Sequence, residues 1–175
     1  MSAEVIPRTA SLGKSRYMFI TVLVLALDQL SKYWVARALG EGDDVQLIRG
    51  LLKLSYTENP GIAFGMLGNG DLKWALVAVS LVAIAVVVYY LVRTPGSNRL
   101  LLWSLALLAA GISGNLIDRI RMGRVIDFIE VYYHRFSWPV FNVADSAITI
   151  GAALMAIELF LAPQEKEVAS PINEE

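Results

Sequence analysis

Four stretches of this chain are long and apolar enough to cross a lipid bilayer, and they fix what it can fold into. They fall at residues 17–38, 72–92, 100–117 and 140–161. About 20 predominantly apolar residues in helical form span the hydrocarbon core of a membrane, whereas runs of about 10–14 suit a buried core helix. Lipid offers no partner to backbone N–H and C=O groups, so a spanning run has to satisfy them itself, as a helix does. Composition agrees: 56% of residues are hydrophobic and 18% charged, against about 45–50% and about 25% in soluble domains. A chain of 175 residues suits one domain.

The first stretch follows a basic flank and contains Ala36-Arg37-Ala38, which resembles a leader-peptidase site. Three further spans follow, so we read 17–38 as a membrane helix with a polar outer end. Residues 1–16 are expected to be a cytoplasmic tail, and the acidic segment 162–175 a second, disordered one. Trp74 and Tyr89-Tyr90 bracket the second span where interfacial aromatics belong. Gly111, Ser113 and Gly114 in the third allow close helix packing in lipid. Segments 39–71 and 118–139 are then loops on one side of the membrane. In the first, Leu52, Leu54 and Tyr56 alternate with Lys53, Ser55 and Thr57, the period of a half-buried strand. Gly50 supplies a turn to a shorter strand near Val45–Ile48, and Asn59-Pro60-Gly61 is a turn signal. The expected fold class is an all-α membrane protein of four transmembrane helices, with a small extracytoplasmic β-structure in the first outer loop. Orientation does not follow from charge. Arg8, Lys14, Arg16, Arg93, Arg99 and Lys166 on the inner side are matched in number by Arg49, Lys53, Arg119, Arg121, Arg124 and Arg135 on the outer.

Absences narrow the chemistry. There is no cysteine, which excludes disulfides, thiolate catalysis and cysteine-ligated metal. His134 is the single histidine, which excludes a multi-histidine zinc site. The net charge of −1 gives no sign of a nucleic-acid partner. Ionisable residues at membrane depth are costly and mark function, and here they gather at one end of the spans. Asp28 and Lys32 lie at the outer end of the first, and Asn115, Asp118 and Arg119 at the outer end of the third. Asp127 lies just beyond, and Asn142 and Asp145 lie in the first turns of the fourth. Asp28–Lys32 also fits a helix-stabilising i, i+4 pair, Asp118-Arg119 a snorkelling pair, and Asn142 a helix N-cap. Asp145, three residues into an apolar span, and Asp127, alone in Val125-Ile126-Asp127-Phe128-Ile129, resist such readings. Two carboxylates brought together at a low-dielectric edge share a proton and titrate as a unit. Such a pair can both activate water and polarise a carbonyl.

Five blocks carry a family resemblance: Asp28-Gln29-Leu30-Ser31-Lys32, Asn59-Pro60-Gly61-Ile62-Ala63-Phe64-Gly65, Gly114-Asn115-Leu116-Ile117-Asp118-Arg119, Val125-Ile126-Asp127-Phe128 and Phe141-Asn142-Val143-Ala144-Asp145-Ser146. In this order around four apolar spans, they resemble the bacterial lipoprotein signal peptidases (signal peptidase II). The resemblance implies a multi-pass aspartic endopeptidase of the bacterial cytoplasmic (inner) membrane, with its active site at the extracytoplasmic face. It implies that Asp127 and Asp145 are the catalytic dyad, and that Asp28, Lys32, Asn59, Gly61, Asn115, Arg119 and Asn142 bind substrate or support the site. The implied substrates are diacylglyceryl-modified prolipoproteins, cut just before the lipidated cysteine. The expected partners are these substrates and membrane lipid, the expected state is a monomer, and neither metal nor cofactor is expected. A serine intramembrane protease would use Gly111-Ile112-Ser113-Gly114, but its only candidate base is His134, in a polar loop. An ion relay would need charges along a path across the membrane, and the middles of the second and third spans carry none.

Overall fold

The computed structural model describes residues 9–40, 42–61 and 71–161. The segments 1–8, 62–65 and 162–175, which figured in the expectations above, lie outside the described residues. In chain order the elements are α1 (Thr9–Ala38), β1 (Asp44–Ile48), β2 (Leu52–Asn59), α2 (Asp71–Arg93), α3 (Arg99–Met122), β3 (Val125–Tyr133), β4 (Phe136–Ser137) and α4 (Val143–Leu161). The four helices include apolar stretches of 26, 21, 24 and 19 residues, each long enough to cross a bilayer.

Helix α3 is the centre of the bundle, and α1, α2 and α4 each pack against it. Among the described residues α1 and α2 do not approach each other closely along their backbones, and Lys14 of α1 reaches across to donate to the Val92 carbonyl of α2. Lipid tails are as apolar as leucine, so close backbone approach rather than hydrophobic burial drives this assembly. The small residues are placed accordingly. A Cβ at Gly111 would run into the carbonyl oxygen of Ala144, and one at Gly151 would lie 3.0 Å from the carbonyl oxygen of Ser104. That oxygen's own residue donates its hydroxyl to the Gly151 carbonyl at 2.8 Å. Elsewhere α3 is buried through Leu102, Leu105, Ala106, Ala109 and Ala110, and Val87 of α2 packs against Leu105 and Ala109.

At one end of the bundle lies a four-stranded antiparallel sheet in the order β1-β2-β3-β4. It differs from the sequence expectation, because half of it comes from the segment read as a polar loop. The third helix also continues past residue 117 to Met122, so Asp118 and Arg119 are helical, and it stops where Gly123 adopts φ 78. The run Val125–Phe128 then enters the sheet fully buried. Ile126 and Phe128 pack on Val35 of α1, with Leu39, Leu54 and Tyr56 around them. An alternation signal requires one face in water, and this strand has both faces covered, so the pattern is a continuous apolar run.

Two features of the sheet position the site. Pairing of β2 with β3 matches Leu54 to Ile129 but Thr57 to Asp127, so β2 carries one extra residue between them. Without that bulge the period-two alternation would put Glu58 on the face of Asp127; with it, Thr57 and Asn59 stand there. The second feature ties β3 to α4. The Phe141 carbonyl accepts the N–H groups of Phe128 and Ile129, and its own N–H donates to Ile129. The chain entering α4 is thereby held beside the strand that carries Asp127.

Candidate active site

The site is built on a buried charge cluster. Asp28 and Lys32, one turn apart on α1, form an ion pair at 2.9 Å, and Lys32 pairs equally closely with Asp118 of α3, at 2.8 Å. The three are almost entirely buried. Desolvation of this order is tolerated only when every charge has partners, and they are present. Gln29 donates to Asp28, to Asp118 and to the Gly114 carbonyl. The other oxygen of Asp28 accepts the Ala144 N–H at 2.8 Å. A carboxylate of α1 therefore caps the N-terminus of α4, where four N–H groups have no helical partner. Gly114 makes this approach feasible, since a Cβ there would lie 2.5 Å from Asp28.

From this cluster a chain of amides leads outward. Lys32 donates to Asn115 Oδ1 at 3.0 Å, which turns the Asn115 amide nitrogen toward Asp145 Oδ1, 2.7 Å away. Asn142 stands at the head of α4 as its N-cap. Its Oδ1 accepts the Asp145 N–H at 2.8 Å, and its own N–H donates back to Asp145 Oδ2 at 3.3 Å. This is the reciprocal geometry of a capping box, with Asp145 as the third helical residue. The Asn142 side-chain nitrogen meanwhile donates to Asp127 Oδ1 at 2.7 Å. One residue thus holds both carboxylates. The second oxygen of Asp127 accepts from Asn59 at 2.9 Å, and Asn59 is oriented by the Gly61 N–H, which donates to its Oδ1 at 2.8 Å. Gly61 sits at φ 78, in the left-handed region that glycine enters without strain.

Burial pushes the Asp127 carboxyl up to about 6, and the neighbouring Asp145 carboxylate pushes the same way. The amides of Asn59 and Asn142 and the charge of Lys32 pull against it. A carboxyl titrating near neutrality beside a second carboxylate can pass between acid and base at working pH. Among the described residues no cluster of three or more His, Asp or Glu suits a metal ion.

Of the residues singled out in the sequence, Asp28, Lys32, Asn59, Gly61, Asn115, Asp127, Asn142 and Asp145 form one connected network. Arg119 is not in it: half-buried in the last turn of α3, it makes no side-chain hydrogen bond or ion pair among the described residues. Asp118 pairs with Lys32 rather than with its neighbour Arg119. Gln29 was missed, although its position inside an apolar span beside Asp28 is itself a signal for a buried polar role. Ser113 lies in a groove between α1 and α2, and His134 is exposed in the β3–β4 turn.

Fold and site together define an integral membrane protein with a paired-carboxylate centre at one end of a four-helix bundle. The profile of the family described as signal peptidase (SPase) II matches residues 20–161, and the chain belongs to that family. It is 38% identical over 153 residues to the lipoprotein signal peptidase of Syntrophus aciditrophicus, covering 86% of this chain and 95% of that one. Its identity to the Pseudomonas syringae pv. tomato lipoprotein signal peptidase is also 38%, over 167 residues, 94% of this chain and 95% of that one. A bacterial membrane enzyme solved by the in meso method at 2.3 Å superposes with a TM-score of 0.74 at 30% identity, covering 92% of this chain and 94% of that one. A second such structure, at 1.9 Å, gives 0.77 at 31% identity over 85% and 95%.

Proposed function

We propose that this lipoprotein signal peptidase cuts diacylglyceryl-modified prolipoproteins just before the lipidated cysteine, with Asp127 and Asp145 as its catalytic dyad. The observation that carries the assignment is the single residue Asn142, bonded to both carboxylates at the edge of the bundle. Asp145 acts as the base: it takes a proton from a water whose oxygen attacks the scissile carbonyl carbon. Asp127 holds the shared proton and delivers it to the carbonyl oxygen as the tetrahedral intermediate forms. Collapse breaks the C–N bond: the proton taken up by Asp145 goes to the departing cysteine amine, and a hydroxyl of the intermediate returns a proton to Asp127 as the carbonyl re-forms. Asn59 and Asn115 orient the two acids. Arg119, free of an internal partner among the described residues, is available to substrate.

Acyl chains of the substrate stay in the bilayer while its cleavage point lies at the interface, and a site at the bundle's end beneath a small sheet matches that division. The reading places this end at the extracytoplasmic face of the bacterial inner membrane and takes the monomer as the working unit. The test is cleavage of a diacylglyceryl-modified prolipoprotein by the purified protein in lipid, with Asp127→Asn and Asp145→Asn beside the wild type. Only the wild type is expected to cut. Near-full activity in either variant refutes the dyad.

A further inference from the structure

An apolar groove of about 400 Å³ opens directly from Asp145. One wall is the outer face of α4, with Ser146, Thr149 and Ile150; the other is the segment Trp138–Phe141 that leads into the helix. Beyond Trp138 and Phe141 it continues onto a second hollow of about 340 Å³ under the β3–β4 hairpin. Trp138 and Ile150 are both more than half exposed, and nothing among the described residues covers them.

Continuity with Asp145 makes this groove part of the substrate's path, and the occupants to weigh are the signal peptide and the lipid. A signal peptide at membrane depth is helical, since its backbone groups have no other partners there. A helix with side chains is about 10 Å across and rises 5.4 Å per turn, so roughly 400 Å³ holds a single turn. An extended peptide would need donors and acceptors, and beyond Asp145, Ser146 and Thr149 the side chains of the groove are Trp138, Pro139, Val140, Phe141 and Ile150. A chain of methylenes makes no such demand. We propose that this groove receives one fatty-acyl chain of the substrate's diacylglyceryl group, and so sets where the lipidated residue stops relative to Asp145. The inference rests on the peptidase reading and names the part of the substrate recognised there.

Ile150 lies outside the network around the carboxylates, so it can be enlarged without touching the dyad. Ile150→Trp and wild-type protein in lipid would be given one prolipoprotein carrying either palmitoyl or butyryl chains. The variant is expected to raise KM for the palmitoyl substrate by about fivefold, because only packing is lost where lipid tails compete for the same surface. Its kcat, and both constants for the butyryl substrate, should stay at wild-type values. Equal effects on both substrates, no effect on either, or an effect that follows signal-peptide side chains instead of chain length would overturn the proposal. A wild-type experiment covers the case of a misfolded variant: a palmitoyl chain bearing a mid-chain diazirine should crosslink to Trp138, Phe141 or Ile150. Adducts confined to Met18, Val22, Ile84 or Val88, which line the separate groove between α1 and α2, would overturn it. Crosslinking reads occupancy whether or not the bond is cut, so failure of cleavage and failure of the groove assignment are separable.

Discussion

Replacing Lys32 by methionine isolates the buried charge cluster beneath the site. Lys32 is the cation shared by Asp28 and Asp118, at 2.9 and 2.8 Å, and it also donates to Asn115 at 3.0 Å. Methionine keeps the length and apolar stem but leaves two carboxylates, 0% and 2% exposed, with only neutral donors. Asp28 would retain the Ala144 N–H and Gln29, and Asp118 would retain Gln29. Removing one member of a buried pair costs about 3–5 kcal/mol, because the partner charge remains buried. At about 2–4 °C per kcal/mol for a chain of this size, that is a fall of about 6–20 °C in Tm. Thermal unfolding in one detergent, followed by circular dichroism, reads this directly. The decisive comparison is Lys32→Met/Asp118→Asn, which removes one of the stranded charges. The double variant should be more stable than Lys32→Met, although Asp118→Asn alone is destabilising. A Lys32→Met change below about 0.5 kcal/mol, or a double variant at the simple sum of its parts, would refute the account of a single coupled cluster.

Three further outcomes follow from the geometry. Asp127 titrates near 6 when folded and near 3.9 when unfolded, so between those values the folded protein holds a proton that the unfolded chain has lost. Stability should therefore fall as pH rises from about 4 to 6 and level off above. Asp127→Asn should flatten that slope by about 1–2 kcal/mol after allowing for solvent at the site's edge; unfolding in mixed micelles across this range checks it, and an unchanged slope counts against the raised value. Gly111→Ala should cost about 1–3 kcal/mol by overpacking, because its new methyl meets the Ala144 backbone; a Tm equal to wild type would show that α3 and α4 can separate without cost. Asn142→Ala should lose about 1 kcal/mol of capping stability and far more activity, since Asp127 loses the Asn142 amide donor and the Asp145 N–H loses its capping acceptor; kcat measured well below its Tm distinguishes the two effects.

What the sequence made legible was the helices and their polar ends. Long apolar runs are read easily because the bilayer imposes a length, and Asp28, Lys32, Asn115, Asp127, Asn142 and Asp145 stand out because lipid makes isolated polar residues expensive. The strand carrying Asp127 was not legible. Its residues 125–128 are buried on both faces, so they lack the alternation that marked β2. Nor could alternation show that β2 carries a bulge after Leu54, and without the bulge Glu58 rather than Asn59 would be assigned to the face of Asp127. The pairing of Asp118 with Lys32 instead of Arg119 likewise depends on which face of α3 meets α1, which the loop reading of residue 118 concealed.

The two acids rest on different supports, and this bears on how the site can work. Asp145 belongs to the bundle: it lies in the first turn of α4, which is packed on α3 through Gly111 and Gly151 and capped by Asp28. Asp127 belongs to the sheet, paired with Thr57 and held by Asn59. These supports meet at the Asn142 side chain, at the backbone bonds of Phe141 to Phe128 and Ile129, and where β3 packs on α1. Packing in the bundle holds one carboxylate, and packing of Ile126 and Phe128 on Val35 of α1 holds the strand that carries the other. One link between the carboxylates runs through Phe141 and Asn142, and the segment Trp138–Phe141 also forms a wall of the groove leading from Asp145. A ligand filling that groove would lie against the same segment that joins the strand of Asp127 to the helix of Asp145.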